Sequence, residues 1–303
     1  MDKNTVTSRV YAGYGSGQYA RVLDEIEQLP AEQRETGELS YIKLCMLSLV
    51  GRVEEALEFL KELAGKRIWL DPAMLQEDRD LISLRGTAEF PRLCATHEAL
   101  KSAASAETNG TLIVSPEGAG PYPLLLVLHG NQQNAAETLP RWSKAAEDGW
   151  MVAALQSQQS GYGSGSYVWN DYSATRAQVL EFLNHHRDRW NGTVVLGGFS
   201  RGARTAISLA LDGTVPTAGV LAVCPASLEE VPSWTVNIAS GPIRATVFLG
   251  AEDPYTRQSD ELERCLTLTG SEVTYRVIDG MEHAYPEDFP IRIARMMHKI
   301  PKN

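Results

Sequence analysis

The stretch Val194-Val195-Leu196-Gly197-Gly198-Phe199-Ser200-Arg201-Gly202 joins an apolar run to a helical pattern, Arg201 to Leu211, through Gly-x-Ser-x-Gly. In that form a strand delivers Ser200 to a sharp turn. Gly198 and Gly202 leave room for it, and a helix begins beneath the hydroxyl. The chemistry would be attack by the Ser200 oxygen on an electrophilic carbon. The turn lacks the Lys-Ser/Thr of a phosphate-binding loop, which argues against phosphate cradling. A serine hydroxyl is a weak nucleophile at neutral pH. It needs a base within hydrogen-bond reach, and the base needs a partner that holds its tautomer.

Two histidines follow Ser200. His298 stands in a terminal helical pattern beside Lys299 and is expected in solvent. His283 follows the last apolar strand in Ile278-Asp279-Gly280-Met281-Glu282-His283-Ala284-Tyr285-Pro286, a glycine-containing loop where a base would hang. For the acid, Phe248-Leu249-Gly250-Ala251-Glu252-Asp253-Pro254 closes the preceding strand, and Asp253 is the expected partner of the His283 Nδ1–H. Glu252 and Asp279 stay open as alternatives. Two backbone N–H groups are expected to hold a developing oxyanion. One is that of Arg201, after the nucleophile. The other is that of Asn131 in His129-Gly130-Asn131-Gln132-Gln133-Asn134, where Gly130 lets the backbone approach closely. His129 is expected to brace that loop. Tyr162 and Trp169, in the glycine-rich stretch 156–171, are expected to line a substrate wall, with packing aromatics in a mobile loop as the open alternative. Asp171 is expected to cap the next helix, and His185 and His186 to face solvent. No group of His, Cys and carboxylates has metal-ligand spacing, so neither metal nor cofactor is expected.

These residues need strands to position them. From residue 111 onward short apolar segments alternate with helical patterns. Strands are expected over 111–114, 124–128, 151–155, 193–197, 218–223, 245–249 and 272–278. Helices are expected over 135–148, 172–190, 201–211, 256–269 and 289–299. Leu124-Leu125-Leu126-Val127-Leu128 is continuous enough for a strand buried on both faces. Repeated βα units of this size imply the α/β class, a mostly parallel sheet with helices on both faces. Chemistry then gathers beyond the carboxyl ends of the strands, where the candidates above stand. The connection 224–242 is too short for a large lid.

Residues 1–104 read as helices throughout. Gly17 and Gly51 stand 34 residues apart, and Val22, Leu23 and Ile26 match Ala56, Leu57 and Leu60 at the same offset. This segment resembles tetratricopeptide repeats, with a glycine at the helix–helix turn and a small residue where the pair closes. Asp71-Pro72 is expected to start a further helix that Gly86 ends. Two repeats bury too little core alone, so the segment is expected to pack on the rest of the chain or on another subunit, as a homo-oligomer or protein contact. Residues 101–110 are small and polar, a linker. Two domains follow: 1–104, helical, and 105–303, catalytic.

Residues from about 111 to 303 resemble the α/β-hydrolases, in the phospholipase/carboxylesterase and dienelactone-hydrolase-like branches. The resemblance rests on His129-Gly130, Gly198-Phe199-Ser200-Arg201-Gly202, Gly250-Ala251-Glu252-Asp253-Pro254 and His283. It departs from dienelactone hydrolases in having Ser where they have Cys. It implies cleavage of a small-molecule carboxylic ester through an acyl-serine. Thioester or peptide cleavage by the same residues, or a catalytically idle scaffold, remain as alternatives. The chain has 303 residues and a net charge of −10, which argues against nucleic acid and anionic membranes as partners. No apolar run is long enough to span a bilayer and no signal peptide is readable, so a cytoplasmic location is expected. The four cysteines are then reduced and mostly buried.

Overall fold

The computed structural model describes residues 3–105, 110–226, 242–258, 262 and 270–298. The chain divides into two compact units, residues 1–109 with 160–168 and residues 110–159 with 169–303.

The first unit holds α1 (Lys3–Gly15), α2 (Tyr19–Glu27), α3 (Ala31–Arg34), α4 (Gly37–Leu49), α5 (Val53–Gly65), α6 (Pro72–Glu77), α7 (Ile82–Arg85) and α8 (Phe90–Ser105). Gly17 and Gly51 turn the chain with φ of +74° and +79°, where glycine has no steric penalty. The bonds around the two turns correspond: Gln18 N–H to Gly13 O and Arg52 N–H to Leu47 O, each 2.9 Å. Leu23, Ile26, Leu57, Leu60 and Leu63 pack with Leu39, Leu44 and Met46 in one core.

The single helix expected from Asp71 to Gly86 is broken. Asp71 does cap α6, accepting from the Ala73 and Met74 amides at 3.0 and 3.3 Å. Asp78 ends it with an extended backbone. One Asp78 carboxylate oxygen accepts the Asp80 N–H at 3.0 Å, and the other accepts the Tyr41 hydroxyl at 2.6 Å. A carboxylate that offers the backbone a local bond competes with the helix, and α7 forms only after a 3-10 turn, Arg79–Leu81. In turn α8 runs through Lys101 to Ser105, which composition marks as linker.

Residues 160–168, which the sequence leaves as a loop, are built into this unit. The Tyr162 carbonyl accepts the Asp71 N–H at 2.8 Å, and the Ser164 N–H donates to Trp69 O at 2.8 Å. Ser164 Oγ accepts the Trp69 N–H at 2.8 Å. The Tyr162 ring stacks on Tyr41 with centroids 4.7 Å apart. Gly163 is required here, because a Cβ would lie 2.5 Å from Trp69 O. Buried His97 supports the same strip. Its Nδ1 accepts the Leu70 N–H at 2.9 Å, so the proton sits on Nε2, which donates to Leu60 O at 3.1 Å.

The second unit is built on a seven-stranded sheet. Its strands are β1 (Leu112–Val114), β2 (Tyr122–Leu128), β3 (Met151–Leu155), β6 (Trp190–Phe199), β7 (Gly219–Val223), β8 (Arg244–Gly250) and β9 (Glu272–Ile278), and the short pair β4 (Gln159–Ser160) and β5 (Tyr167–Val168) stands apart. The order is β1-β3-β2-β6-β7-β8-β9, with β1 antiparallel to β3 and every other pair parallel. Helices α9 (Ala135–Trp142), α10 (Tyr172–His185), α11 (Arg201–Leu211) and α12 (Phe289–Met297) cover it. Alternate residues of β2 serve opposite cores. Leu124, Leu126 and Leu128 join Val179 of α10 and Ile207 of α11, whereas Leu125 and Val127 join Trp142 of α9 and Phe289 and Ile293 of α12.

Two expected helices are shorter than their patterns. The one over 135–148 gives way at Ser143 to a 3-10 run that ends at Gly149, φ +81°. The one over 172–190 stops at His185, and Trp190 pairs with Tyr122 in the sheet instead. The connection 224–242, the helix expected over 256–269 with Cys265, and Lys299 lie mostly or wholly outside the described residues, though Thr256–Gln258 form one 3-10 turn. No described helix is long and apolar enough to cross a membrane.

Gly163→Ala is expected to lower the unfolding free energy by about 1–3 kcal/mol, the usual cost of overpacking. Gly65→Ala, at a helical site with nothing within 4 Å of a new Cβ, is expected to raise it by about 0.5 kcal/mol. Urea unfolding of both variants measures the contrast.

Candidate active site

Strand β6 ends at Phe199 and α11 begins at Arg201, so Ser200 alone reverses the chain. Its φ of 54° and ψ of −123° are strained for a residue with a side chain, at a cost of about 1–3 kcal/mol. Three backbone bonds hold it: Ser200 N–H to Val223 O at 2.9 Å, Arg204 N–H to Ser200 O at 3.1 Å and Ala226 N–H to Ser200 O at 3.4 Å. The flanking glycines are needed for space. A Cβ on Gly198 would collide with the backbone of Gly202 and Ala203, and one on Gly202 with the carbonyl oxygens of Leu128 and His129.

Ser200 Oγ lies 2.8 Å from His283 Nε2, and His283 Nδ1 lies 2.8 Å from Asp253 Oδ2. The ionised carboxylate only accepts, so the proton sits on Nδ1 and Nε2 faces the hydroxyl as an acceptor. Asp253 is 4% exposed, and its Oδ1 accepts the Tyr255 N–H at 2.9 Å. Glu252 and Asp279, the open alternatives, are both exposed. A line of this kind can pass the hydroxyl proton to the imidazole while the carboxylate faces the charge that forms.

The loop that carries His283 is held on two sides. A Cβ on Gly250 would collide with the carbonyls of Met281 and Glu282, so the end of β8 and this loop touch backbone to backbone. Tyr285 accepts the Trp142 indole N–H at 3.1 Å, and its ring stacks on Phe199 at 4.6 Å. The imidazole itself sits between Phe199 and Tyr255, with centroids 5.0 and 5.1 Å away.

After β2 the chain forms the loop from His129 to Asn134. The Gly130 N–H donates to Gln133 Oε1 at 3.1 Å, so Gly130 contributes shape rather than a donor. A Cβ there would lie 2.9 Å from the Phe199 ring. Asn131 is exposed, and buried Gln132 adopts φ +60°. The Arg201 amide opens α11, where helix N-termini favour negative charge.

His129 is fully buried, and Nε2 accepts the Ser157 N–H at 3.3 Å. Its proton is therefore on Nδ1, which donates to Gly130 O at 2.8 Å. Burial lowers its pKa to about 4, which keeps it neutral. The Trp169 indole N–H donates to His129 O at 2.8 Å, and the two rings lie 4.6 Å apart. Trp169, 2% exposed, thus braces this loop and leaves no open face for a substrate wall. Tyr162 is half-buried and packs against the core of the first unit. Both corrections have one cause: a polar tip on a large ring favours burial once a backbone carbonyl or a second ring can receive it. Asp171 caps α10 through Ala174 N–H at 2.9 Å. His298 is exposed, 3.6 Å from an Asp148 oxygen.

One residue near the line is marked by the sequence only as a buried thiol. Cys224 directly follows β7, and its Sγ donates to Ala284 O at 3.3 Å. Its sulfur, an Asp253 oxygen and a His283 nitrogen all lie within 4.8 Å of one another. Its position just past an apolar strand, shared with the other candidates, is the available signal. Cys45, Asp78 and Asp80 form a second such group in the first unit. Sequence spacing foreshadows neither, but the carboxylates of both already accept internal hydrogen bonds.

No protein-family model matches the chain, and no curated protein matches its sequence. Solved structures do. An uncharacterized protein from Bacillus cereus ATCC 10987 is 22% identical over 98% of both chains, with a TM-score of 0.54. The carboxylesterase of Bacillus cereus is 18% identical over 63% of this chain and 93% of its own, TM-score 0.50. Esterase PE8 is 14% identical over 63% and 99%, TM-score 0.53. At these identities the likeness concerns the fold.

The depressed pKa of His129 makes stability depend on pH. The unfolded chain takes up this proton below about pH 6.5 and the folded chain only below about pH 4, so stability falls as pH drops through that window. The loss from this one group is on the order of 3 kcal/mol. Urea unfolding at pH 7 and pH 4 should show that component in the natural chain and lack it in His129→Gln.

Proposed function

We propose that this chain, an α/β-hydrolase fold joined to a helical unit, is a serine hydrolase that cleaves a carboxylic ester. One observation carries the reading: Ser200, on a strained strand-to-helix turn, is 2.8 Å from the acceptor nitrogen of an imidazole whose other nitrogen is 2.8 Å from a buried carboxylate. Ser200 Oγ attacks the acyl carbon, and its proton passes to His283 Nε2. Asp253 stabilises the imidazolium. The amides of Arg201 and Asn131 hold the oxyanion. The tetrahedral intermediate collapses, His283 gives its proton to the leaving alkoxide, and an acyl-serine remains. Water then attacks with His283 again as base, releasing the acid and free Ser200. The names of two structural neighbours, a carboxylesterase and an esterase, point the same way. Thioester cleavage would use the same residues, so a panel of aryl esters and thioesters ranks the two. In the helical unit, the matched bonds at Gly17 and Gly51 support two tetratricopeptide-like repeats.

Intact-mass analysis after treatment with a fluorophosphonate should show one adduct, mapped to Ser200. Ser200→Ala should lower kcat on an aryl ester by roughly 10⁶, and Asp253→Asn by roughly 10⁴. Undiminished turnover by Ser200→Ala would overturn the assignment.

A further inference from the structure

We infer that Cys224 is a positioning residue for the Asp253–His283 pair, its thiol holding the carboxylate and the base-bearing loop from the end of β7. The inference rests on the serine-hydrolase reading above.

Cys224 is tied to its neighbour strand by a 2.9 Å bond from its N–H to Phe248 O. Its φ is +45°, in the left-handed region that a residue with a Cβ seldom occupies. The backbone therefore carries strain at the one residue between Val223, whose carbonyl holds Ser200, and the loop that follows. The side chain is completely buried. Its Sγ reaches the carbonyl of Ala284, next in the chain to His283, and lies within 4.8 Å of both the Asp253 and His283 ligand atoms. One S–H thus has two acceptors to serve, the Ala284 carbonyl and the Asp253 carboxylate.

The thiol acts here as a donor rather than a rival nucleophile. Burial, then the Asp253 charge and the hydrogen bond to Asp253, push its pKa well above the ordinary value, so it stays protonated. Asp253 receives stronger donors from Tyr255 N–H and His283 Nδ1–H. A donor other than the imidazole spreads the negative charge and weakens the hold of the carboxylate on a protonated imidazole. Among the described residues, the titratable and polar groups around the imidazole are Asp253 and Tyr255 from the loop after β8, Ser200 from the turn after β6, and Cys224 from the end of β7. Glu252, exposed, and Glu282, half-buried, flank Asp253 and His283 in the chain. All except Cys224 are unchanged in the variants below.

Removing the donor concentrates charge on Asp253, so the imidazole keeps its proton to higher pH. The readout is the rate of fluorophosphonate labelling of Ser200 against pH in the full chain, with thermal melting as the control for folding. In Cys224→Ala the acid limb is expected to move up by about half a pH unit, the scale of a weak hydrogen bond. In Cys224→Ser, which keeps a donor, the limb should stay in place or move down. A packing role alone would scale the rate by one factor at every pH. A folded Cys224→Ala whose limb coincides with that of the natural chain overturns the inference. If Cys224→Ala does not fold, Cys224→Ser decides, and an upward shift there overturns it. A natural chain that takes up no label overturns the serine-hydrolase reading itself, and this inference with it.

Discussion

The left-handed backbone at Ser200 is the constraint on which the candidate site depends. A serine that follows a ten-residue strand, β6, and precedes a helix cannot relax without losing one of them. The strain persists because the surroundings over-determine it. The Val223 carbonyl takes its amide, Arg204 takes its carbonyl, and Gly198 and Gly202 let the turn lie against bare backbone. Close packing at a turn is ordinarily a matter of stability. Here it also aims one hydroxyl at one imidazole.

The partners reach Ser200 because neighbouring parallel strands end side by side. Val223, Cys224, Gly250 and the loop after β9 follow one another across the sheet from β6. Glycine recurs where two of these ends must touch, at Gly202 against the end of β2 and at Gly250 against the His283 loop. A ring cluster of Phe199, Tyr285, Trp142 and Phe289 fills the space behind them. The imidazole is thus oriented by apolar packing on one side and by a buried carboxylate on another.

Much of this was legible in the sequence because it is local. Apolar runs mark β2, β3, β6, β7 and β8, and the glycines of the Ser200 turn mark the change from strand to helix. The order of Ser200, Asp253 and His283 along the chain narrowed the candidates to loops that the sheet does bring together. What escaped depends on partners distant in the chain. The break at Asp78 needs the Tyr41 hydroxyl, 37 residues away. Trp169 looked like a substrate contact because nothing local says that its N–H meets His129 O, 40 residues back. Cys224 stands in the sequence only as one of four mostly buried thiols, because its nearness to Asp253 follows from the pairing of β7 with β8.

The membership of residues 160–168 in the first unit has a consequence for how such a chain can be taken apart. The backbone passes between the two units three times, after residues 109, 159 and 168. A single junction therefore cannot separate them. Removing the N-terminal helices would strip Tyr162 and Ser164 of the amides and carbonyls of Gly37, Trp69 and Asp71 that order them. The hydrolase-fold unit would keep a nine-residue excursion without those bonds, bounded by Gln159 and by Trp169, the indole that steadies His129. In the terms of gene fusion, the sequence of the helical unit is interleaved with that of its neighbour.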